Sequence, residues 1–509
     1  MARVSIVMVV AVACMSLAGL CSGMAVDVER SLAASRAQAM LASPAFQADL
    51  TAVELAMSSP RPADSADYAR AVAEGHHLPC ALCSIAFNEI FALMMENDTV
   101  AFIQDELNKD FCPRMPASLQ APCKLLVASL PAIFDDIGDK VSIANTCVKL
   151  DFCKQPWADD HPETMDIPSY TIDLDAAPEN RFAQVCANKT FIHELTDMFD
   201  WIAAGLEDGG KRIVEFGNTI NKFLPAEYSG ELAGCAKALD IDAGWLAFVQ
   251  VAYTASDACT SMILATPDSQ SVIHGRNLDF WSGLSFAGTL KNCTFYGTFT
   301  KGGKTAYEIT MIGGMFGSLT GVVPGGHAST VNTRFVPGGL WAYVEMIVND
   351  IIQHDSTLVL FATRNALAAG YSWADAVKYL SSVRLPSDVY FTISGVSKNE
   401  GIIVARAADS VFNTTALDVD SGKWWVGVTN YPWGPGAPPN GSPWFDQRYI
   451  PLMDHLEHLG HANVNMDAAW DVLSIKPTFN LQTVTSNVIV AANGTLHSAS
   501  RWCPWPCAQ

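Results

Sequence analysis

The chain has 509 residues, half of them hydrophobic and 16% charged, so it folds around a sizeable core and is no disordered polymer. Its 52 acidic side chains against 31 basic ones give a formal charge of -21, which argues against a nucleic-acid partner, because phosphate binding needs a positive field. An acidic compartment would protonate part of that excess and relieve the self-repulsion.

Residues 1–25 carry one Arg, then a short apolar run, then small residues, the pattern of a secretory signal peptide. An uncleaved anchor is the competing reading, but the run is short for a membrane span. Sequons at Asn97, Asn188, Asn292, Asn413 and Asn493 agree with an exported, oxidising route. The expected location is the lysosome or an acidic endosomal lumen, or outside the cell.

Residues 26–75, rich in Ala, Ser and Asp, form a leader of unassigned role. Cys80, Cys83, Cys112, Cys123, Cys147 and Cys153 follow, separated by segments such as IAFNEIFALMMEN whose apolar residues recur at helical spacing. A helical unit this small in a secreted chain needs disulfides, and a zinc site lacks the second ligand pair at proper spacing. Six cysteines allow fifteen pairings. Over residues 78–155 their spacing resembles that of saposin B-type domains. The resemblance implies Cys80–Cys153, Cys83–Cys147 and Cys112–Cys123 bridges and a leaf-like helical module that opens transiently against a membrane surface. A stapled unit that only assists folding is the alternative.

Residues 156–169, acidic and interrupted by prolines, read as a linker. From Tyr170 the texture changes to a strand-like TIDLD, then helical stretches containing HELTDMFDWIAAGLED and KRIVEFGNTINKFL, then short strands between Gly-rich turns. SMILAT (261–266) and SVIHGRN (271–277) flank Pro267-Asp268, a favourable turn pair, and read as a hairpin. With that pair as the turn, Cys259 faces Arg276 across the hairpin, and Asp279 lies slightly further along. A nearby cation favours thiolate, which a nucleophilic cysteine needs. A buried or disulfide-bonded cysteine is the plainer reading of the same residue.

His274 lies close by, with His193, His327 and His354 elsewhere, none in a recognisable cysteine-protease context. Another base becomes available if Cys259 is a chain terminus, since its own α-amine titrates near pH ~8 and Arg276 pushes it lower.

CTSMILA, HGRNLDF, VTNYPW and WFDQRYIPLMDHL, in this order, resemble the successive motifs of the acid ceramidase and N-acylethanolamine acid amidase family of N-terminal nucleophile hydrolases. The resemblance covers about residues 168–508, including SYTIDLDAAPENRF. It implies an α+β fold in which the helical stapled module precedes an αββα hydrolase with two stacked antiparallel sheets. It also implies self-cleavage between Ala258 and Cys259, so that 170–258 belongs to a small chain and 259–509 forms the large one.

By the same resemblance Cys259 is the nucleophile, Arg276 and Asp279 orient it and its amine, and Asn430 stabilises the oxyanion. Arg448 matches the first arginine of a family Asp-Asp-Arg-Arg run that here reads Asp446-Gln447-Arg448-Tyr449. Pro432 and Thr333 stand where the family usually has acidic residues. VLSIKPTFNLQTV (472–484) and the terminal CPWPC, with an implied Cys503–Cys507 bridge, lean toward the ceramidase branch. Cys186, Cys235 and Cys293 are left, an odd number, so one is reduced or joins the two chains.

The expected activity is hydrolysis of an N-acyl lipid, ceramide to sphingosine and fatty acid, without metal or other cofactor. An N-acylethanolamine amidase and an inactive lipid-binding or lipid-transfer protein are the alternatives. His455, His458 and His461 lack the helical metal-site arrangement and read as surface residues. GGMFGSLTGVVPGG (313–326) lacks a phosphate-loop lysine and reads as turns between strands; the resemblance places part of it along the acyl site.

Overall fold

The computed structural model describes residues 163–204, 210–252, 258–280, 284–334, 356–430, 448–480 and 482–504. The signal sequence, the leader, the six-cysteine unit with its expected bridges, Asn97, His354 and Cys507 lie outside these residues.

Two short strands, β1 (Thr164–Met165) and β2 (Ser169–Asp173), open the described chain. Six helices follow: α1 (Pro178–Arg181), α2 (Ala183–Cys186), α3 (Lys189–Ala204), α4 (Lys211–Asn221), α5 (Ala226–Leu239) and α6 (Ala243–Ala252). Then come β3 (Ala258–Ala265), β4 (Val272–Asp279), α7 (Leu284–Asn292), β5 (Thr294–Lys301), β6 (Lys304–Ile312), β7 (Thr320–Val322) and β8 (Ala328–Thr333). Helices α8 (Val359–Ala368) and α9 (Trp373–Ser382) precede β9 (Val389–Ser394), β10 (Gly401–Arg406), β11 (Val411–Ala416) and β12 (Trp425–Val428). The chain closes with α10 (Tyr449–Leu459), α11 (Met466–Leu473), β13 (Thr483–Val490) and β14 (Thr495–Arg501).

The strands form two sheets, a six-stranded one in the order β1-β14-β13-β4-β3-β12 and an eight-stranded one in the order β11-β10-β9-β8-β7-β6-β5-β2. All pairings are antiparallel except β2 with β5. Alternation along each strand decides what each face meets. On β3 and β4, Met262, Leu264 and Ile273 point outward and pack with Leu452 and Leu456 of α10 and Val472 and Leu473 of α11. Ile263 and Val272 point inward and meet Tyr390, Ile403 and Ala405 of the facing sheet. Each such fully buried side chain contributes about 1.5–3 kcal/mol.

Helices α2–α6, α8 and α9 bury apolar residues with the outward residues of β5, β6, β9 and β10 in one large core. The architecture is thus α+β, with helices outside two stacked sheets. Local signals set several ends: Ser372 caps α9 by accepting from the Asp375 amide, and Asn465 caps α11 by accepting from the Ala468 amide. The β5–β6 turn uses Gly302 and Gly303 at φ 57° and 70°, where side chains are strained.

Cys186 and Cys235 form a disulfide that ties α2 to α5. Closing a loop of 49 residues restricts the unfolded chain by about 4 kcal/mol. The odd cysteine, Cys293, is reduced and buried. Cys503 is disulfide-bonded, to a partner outside the described residues. The sequon asparagines Asn188 and Asn493 are exposed, whereas Asn413 on the edge strand β11 and Asn292 are half-buried. Asn292 also donates to Glu194 Oε1 at 2.6 Å. Residues 164–165 of the proline-interrupted stretch pair with β14.

Candidate active site

Cys259 is the second residue of β3, a strand held between β4 and β12. Its hairpin partner is Leu278, and Arg276 faces Ser261. The expected direct pairing of Cys259 with Arg276 is therefore off by two. Pro267-Asp268 do sit at a turn, since the Ser269 amide donates to Thr266 O at 2.8 Å. The closing pair, however, is Thr266 with Ser271, and Ser269 takes a left-handed φ of 53°, so the loop holds four residues instead of two. A shift of two preserves the face, because side chains alternate with period two. Arg276 accordingly still reaches the thiol diagonally, its Nη2 donating to Sγ at 3.1 Å.

Every polar atom of Cys259 has a partner. Its amide donates to Asn430 Oδ1 at 2.5 Å, just beyond the end of β12. Its carbonyl accepts from Arg448 Nη1 at 3.2 Å, and its thiol also approaches Asp279 O at 3.7 Å. Arg448, at the start of α10, ties the group together by reaching Asp279 Oδ2 at 3.4 Å and Asn430 Oδ1 at 3.2 Å. All five residues singled out in the sequence, Cys259, Arg276, Asp279, Asn430 and Arg448, thus meet at one cysteine, Arg276 and the Asp279 carbonyl at its sulfur and Asn430 and Arg448 at its backbone.

The electrostatics follow from depth. Burial pushes the Cys259 thiol above its ordinary value, and Arg276 opposes this without overcoming it, so the uncut chain holds a thiol and not the thiolate that the cation alone would favour. Burial likewise raises the Asp279 carboxyl to about 6, against the pull of Arg448. Asp279 Oδ2 accepts from Asn480 at 3.3 Å, while Oδ1 is buried with no hydrogen-bond partner. Asn430 Nδ2 donates to Thr333 O at 2.8 Å.

His274 does not address the thiol. Its ring lies between Thr330 Oγ1, 2.9 Å from Nε2, and Ser394 Oγ, 3.0 Å from Nδ1, and burial lowers its pKa to about 3. His327 bonds Tyr371 O, and His461 bonds Thr266 O while stacking on Trp424.

Three contributors had no motif. Asn332 of β8 reaches across from the facing sheet, its Oδ1 accepting from Arg276 Nη1 at 3.1 Å. Asn480 precedes β13 and holds Asp279. Lys291, buried on α7, is lowered to about 7 by burial, against the pull of Asp279. Asn332 neighbours Thr333 and Asn480 lies within VLSIKPTFNLQTV, but the likeness of these segments to the family gives neither asparagine a role legible in the residues.

No protein-family model matches the chain. Acid ceramidase of Homo sapiens is 28% identical, over 67% of this chain and 88% of that protein. Acid ceramidase of Macaca fascicularis is 28% identical, over 69% of this chain and 93% of that protein. Among solved structures, the Caenorhabditis elegans N-acylethanolamine-hydrolyzing acid amidase ortholog is 30% identical, covering 46% of this chain and 93% of that one, with a TM-score of 0.40. With these relatives, and with Cys259, Arg276, Asp279 and Asn430 of the motifs CTSMILA, HGRNLDF and VTNYPW meeting at one site, the chain belongs to the acid ceramidase and N-acylethanolamine acid amidase family and is an amidohydrolase.

Proposed function

We propose that the chain is an N-acyl lipid amidase that first cuts itself between Ala258 and Cys259 and then hydrolyses lipid amides, ceramide to sphingosine and fatty acid foremost. The observation that carries this reading is the convergence of Arg276, Asp279, Asn430 and Arg448 on Cys259. In the first reaction Sγ attacks the Ala258 carbonyl carbon, the Ala258–Cys259 C–N bond breaks, and a thioester forms while the freed nitrogen takes the thiol proton. Water then releases the upstream chain as a carboxylic acid and restores the thiol.

The new α-amine arises where the Cys259 amide now donates to Asn430, close to Asp279, whose partnerless Oδ1 can accept from the added N–H. That amine takes the thiol proton, and Sγ attacks the lipid amide carbonyl. The amine product leaves with the proton, and water hydrolyses the acyl-thioester. Asn430 as oxyanion donor uses the second hydrogen of Nδ2, the first being donated to Thr333 O. No step requires a metal or other cofactor.

The likeness to acid ceramidases favours ceramide, and the likeness to the nematode amidase favours N-acylethanolamines as the second reading. Competitive hydrolysis of the two substrates separates these readings. Residues 78–155, read as a saposin-like module, serve in this proposal to lift lipid from a membrane surface in an acidic lumen. Among the described residues no helix is long and apolar enough to cross a membrane. Mass spectrometry of the purified protein at acidic pH is the deciding experiment. The expected result is a new terminus at Cys259 in the parent chain and none in Cys259→Ala, whereas an intact, inactive parent sinks the proposal.

A further inference from the structure

Between the two sheets runs a chain of buried polar side chains that the reaction above leaves without a role. It starts at the guanidinium that touches Sγ. Arg276 Nη1 donates to Asn332 Oδ1 at 3.1 Å, and Ser261 Oγ donates to the same oxygen at 2.8 Å. Ser261 Oγ lies 3.0 Å from Thr330 Oγ1, which lies 2.9 Å from His274 Nε2, and His274 Nδ1 lies 3.0 Å from Ser394 Oγ. Arg276, Asn332, Ser261, Thr330, His274 and Ser394 are all at most 1% exposed.

Donor arithmetic gives the chain a direction. Asn332 must present oxygen to Arg276, because its nitrogen is committed to Thr429 O at 3.1 Å and a flipped amide would set N–H against a guanidinium. Ser261 has one hydrogen and spends it on that oxygen, so Thr330 is the donor to Ser261. Thr330 then has no hydrogen left, and His274 Nε2–H must be the donor to Thr330. Burial and the nearby Arg276 keep the imidazole neutral, so Nδ1 is unprotonated and accepts from Ser394. One tautomer of one histidine therefore fixes every hydroxyl along the row.

We propose that His274 and Thr330 are positioning residues for the reaction at Cys259: their one-way hydrogen bonds hold Ser261 and Asn332 in the single orientation that aims Arg276 at Sγ. This rests on the reading of Cys259 as nucleophile. Without the Thr330 hydroxyl, His274 Nε2–H loses its acceptor and the Ser261 hydroxyl is free to rotate off Asn332. The amide then no longer has a fixed second donor, and Arg276 loses the support that points its other nitrogen at the thiol.

The test uses the full-length chain and reads three quantities: the rate of the Ala258–Cys259 cut, kcat and KM on a long-chain N-acyl aminomethylcoumarin amide, and Tm. Thr330→Val and His274→Leu are expected to slow the cut and lower kcat about tenfold or more at unchanged KM, the scale of a misplaced catalytic group. Thr330→Ser restores the hydroxyl, and His274→Gln restores a donor at the Nε2 position, so both are expected to recover most of the loss. A folded Thr330→Val with parental rates overturns the proposal, and so does a Thr330→Ser as slow as Thr330→Val at matched Tm, which would mean packing alone. Should His274→Leu not fold, the Thr330 pair decides by itself. A Cys259→Ala chain that is still cut and active removes the nucleophile reading instead, whatever the Thr330 variants do.

Discussion

A carboxyl held near neutrality beside a thiol makes stability depend on pH at a single residue. Asp279 is raised to about 6 from an ordinary 3.8, so the folded chain holds this proton more tightly than the unfolded one. Its contribution is fully present below about pH 4 and is lost as pH rises through about 6, a change of about 3 kcal/mol at most. His274 and His327, lowered by burial to about 3 and about 4, act oppositely, since the folded chain refuses protons that the unfolded chain accepts below about pH 6.5. The raw stability curve therefore mixes both signs, and a difference curve isolates Asp279. In the uncut Cys259→Ala background, Asp279→Asn should fall furthest behind its parent below about pH 4 and gain on it as pH rises from about 4 to about 6, as urea unfolding at a series of pH values would record. Parallel curves for the two chains would mean that the carboxyl titrates at its ordinary value.

At the scale of elements, what was legible depended on whether the signal was local. The short apolar runs SMILAT and SVIHGRN around Pro267-Asp268 specify the hairpin, and period two keeps Arg276 on the face of Cys259 although the register differs by two residues from the expected one. Asn332 could not be found this way, because it comes from a strand of the other sheet and its role exists only once the sheets stack. The same holds for Gln250, on α6 upstream of the proposed cut. Its Nε2 donates to Gly314 O at 2.6 Å, and its Oε1 accepts from the Phe316 amide at 2.9 Å. Thus α6 grips the GGMF turn, where Gly314 sits at φ 84° with Leu195 too near for a Cβ. Gln250→Leu keeps the volume but strands a buried N–H and a buried carbonyl, so we expect a loss of about 2–3 kcal/mol. A urea midpoint equal to the parent's would show that the turn finds other partners.

Across the whole molecule, the proposed cut divides a fold whose halves are interleaved. Upstream of Cys259, β1 extends the six-stranded sheet and β2 adds a parallel strand to the eight-stranded one. The Cys186–Cys235 disulfide lies wholly upstream and does not join the pieces. A buried ion pair does cross the divide: Arg364 of α8 donates to both oxygens of Glu231 of α5, at 2.5 and 2.7 Å, with both side chains at most 1% exposed. Arg181 also reaches Glu231, and Arg364 stacks against Tyr228 and Phe299. Replacing such a pair by apolar residues can be neutral, but removing one partner leaves a buried charge and costs about 3–5 kcal/mol. Glu231→Leu should therefore lower the stability of the uncut chain by that amount. After cleavage the same loss falls on an interface no longer held by the 258–259 peptide bond, so size-exclusion chromatography should show parental pieces eluting together and Glu231→Leu pieces separating or precipitating. Co-elution of the mutant pieces at parental stability would mean that the paired strands and the apolar core carry the association alone.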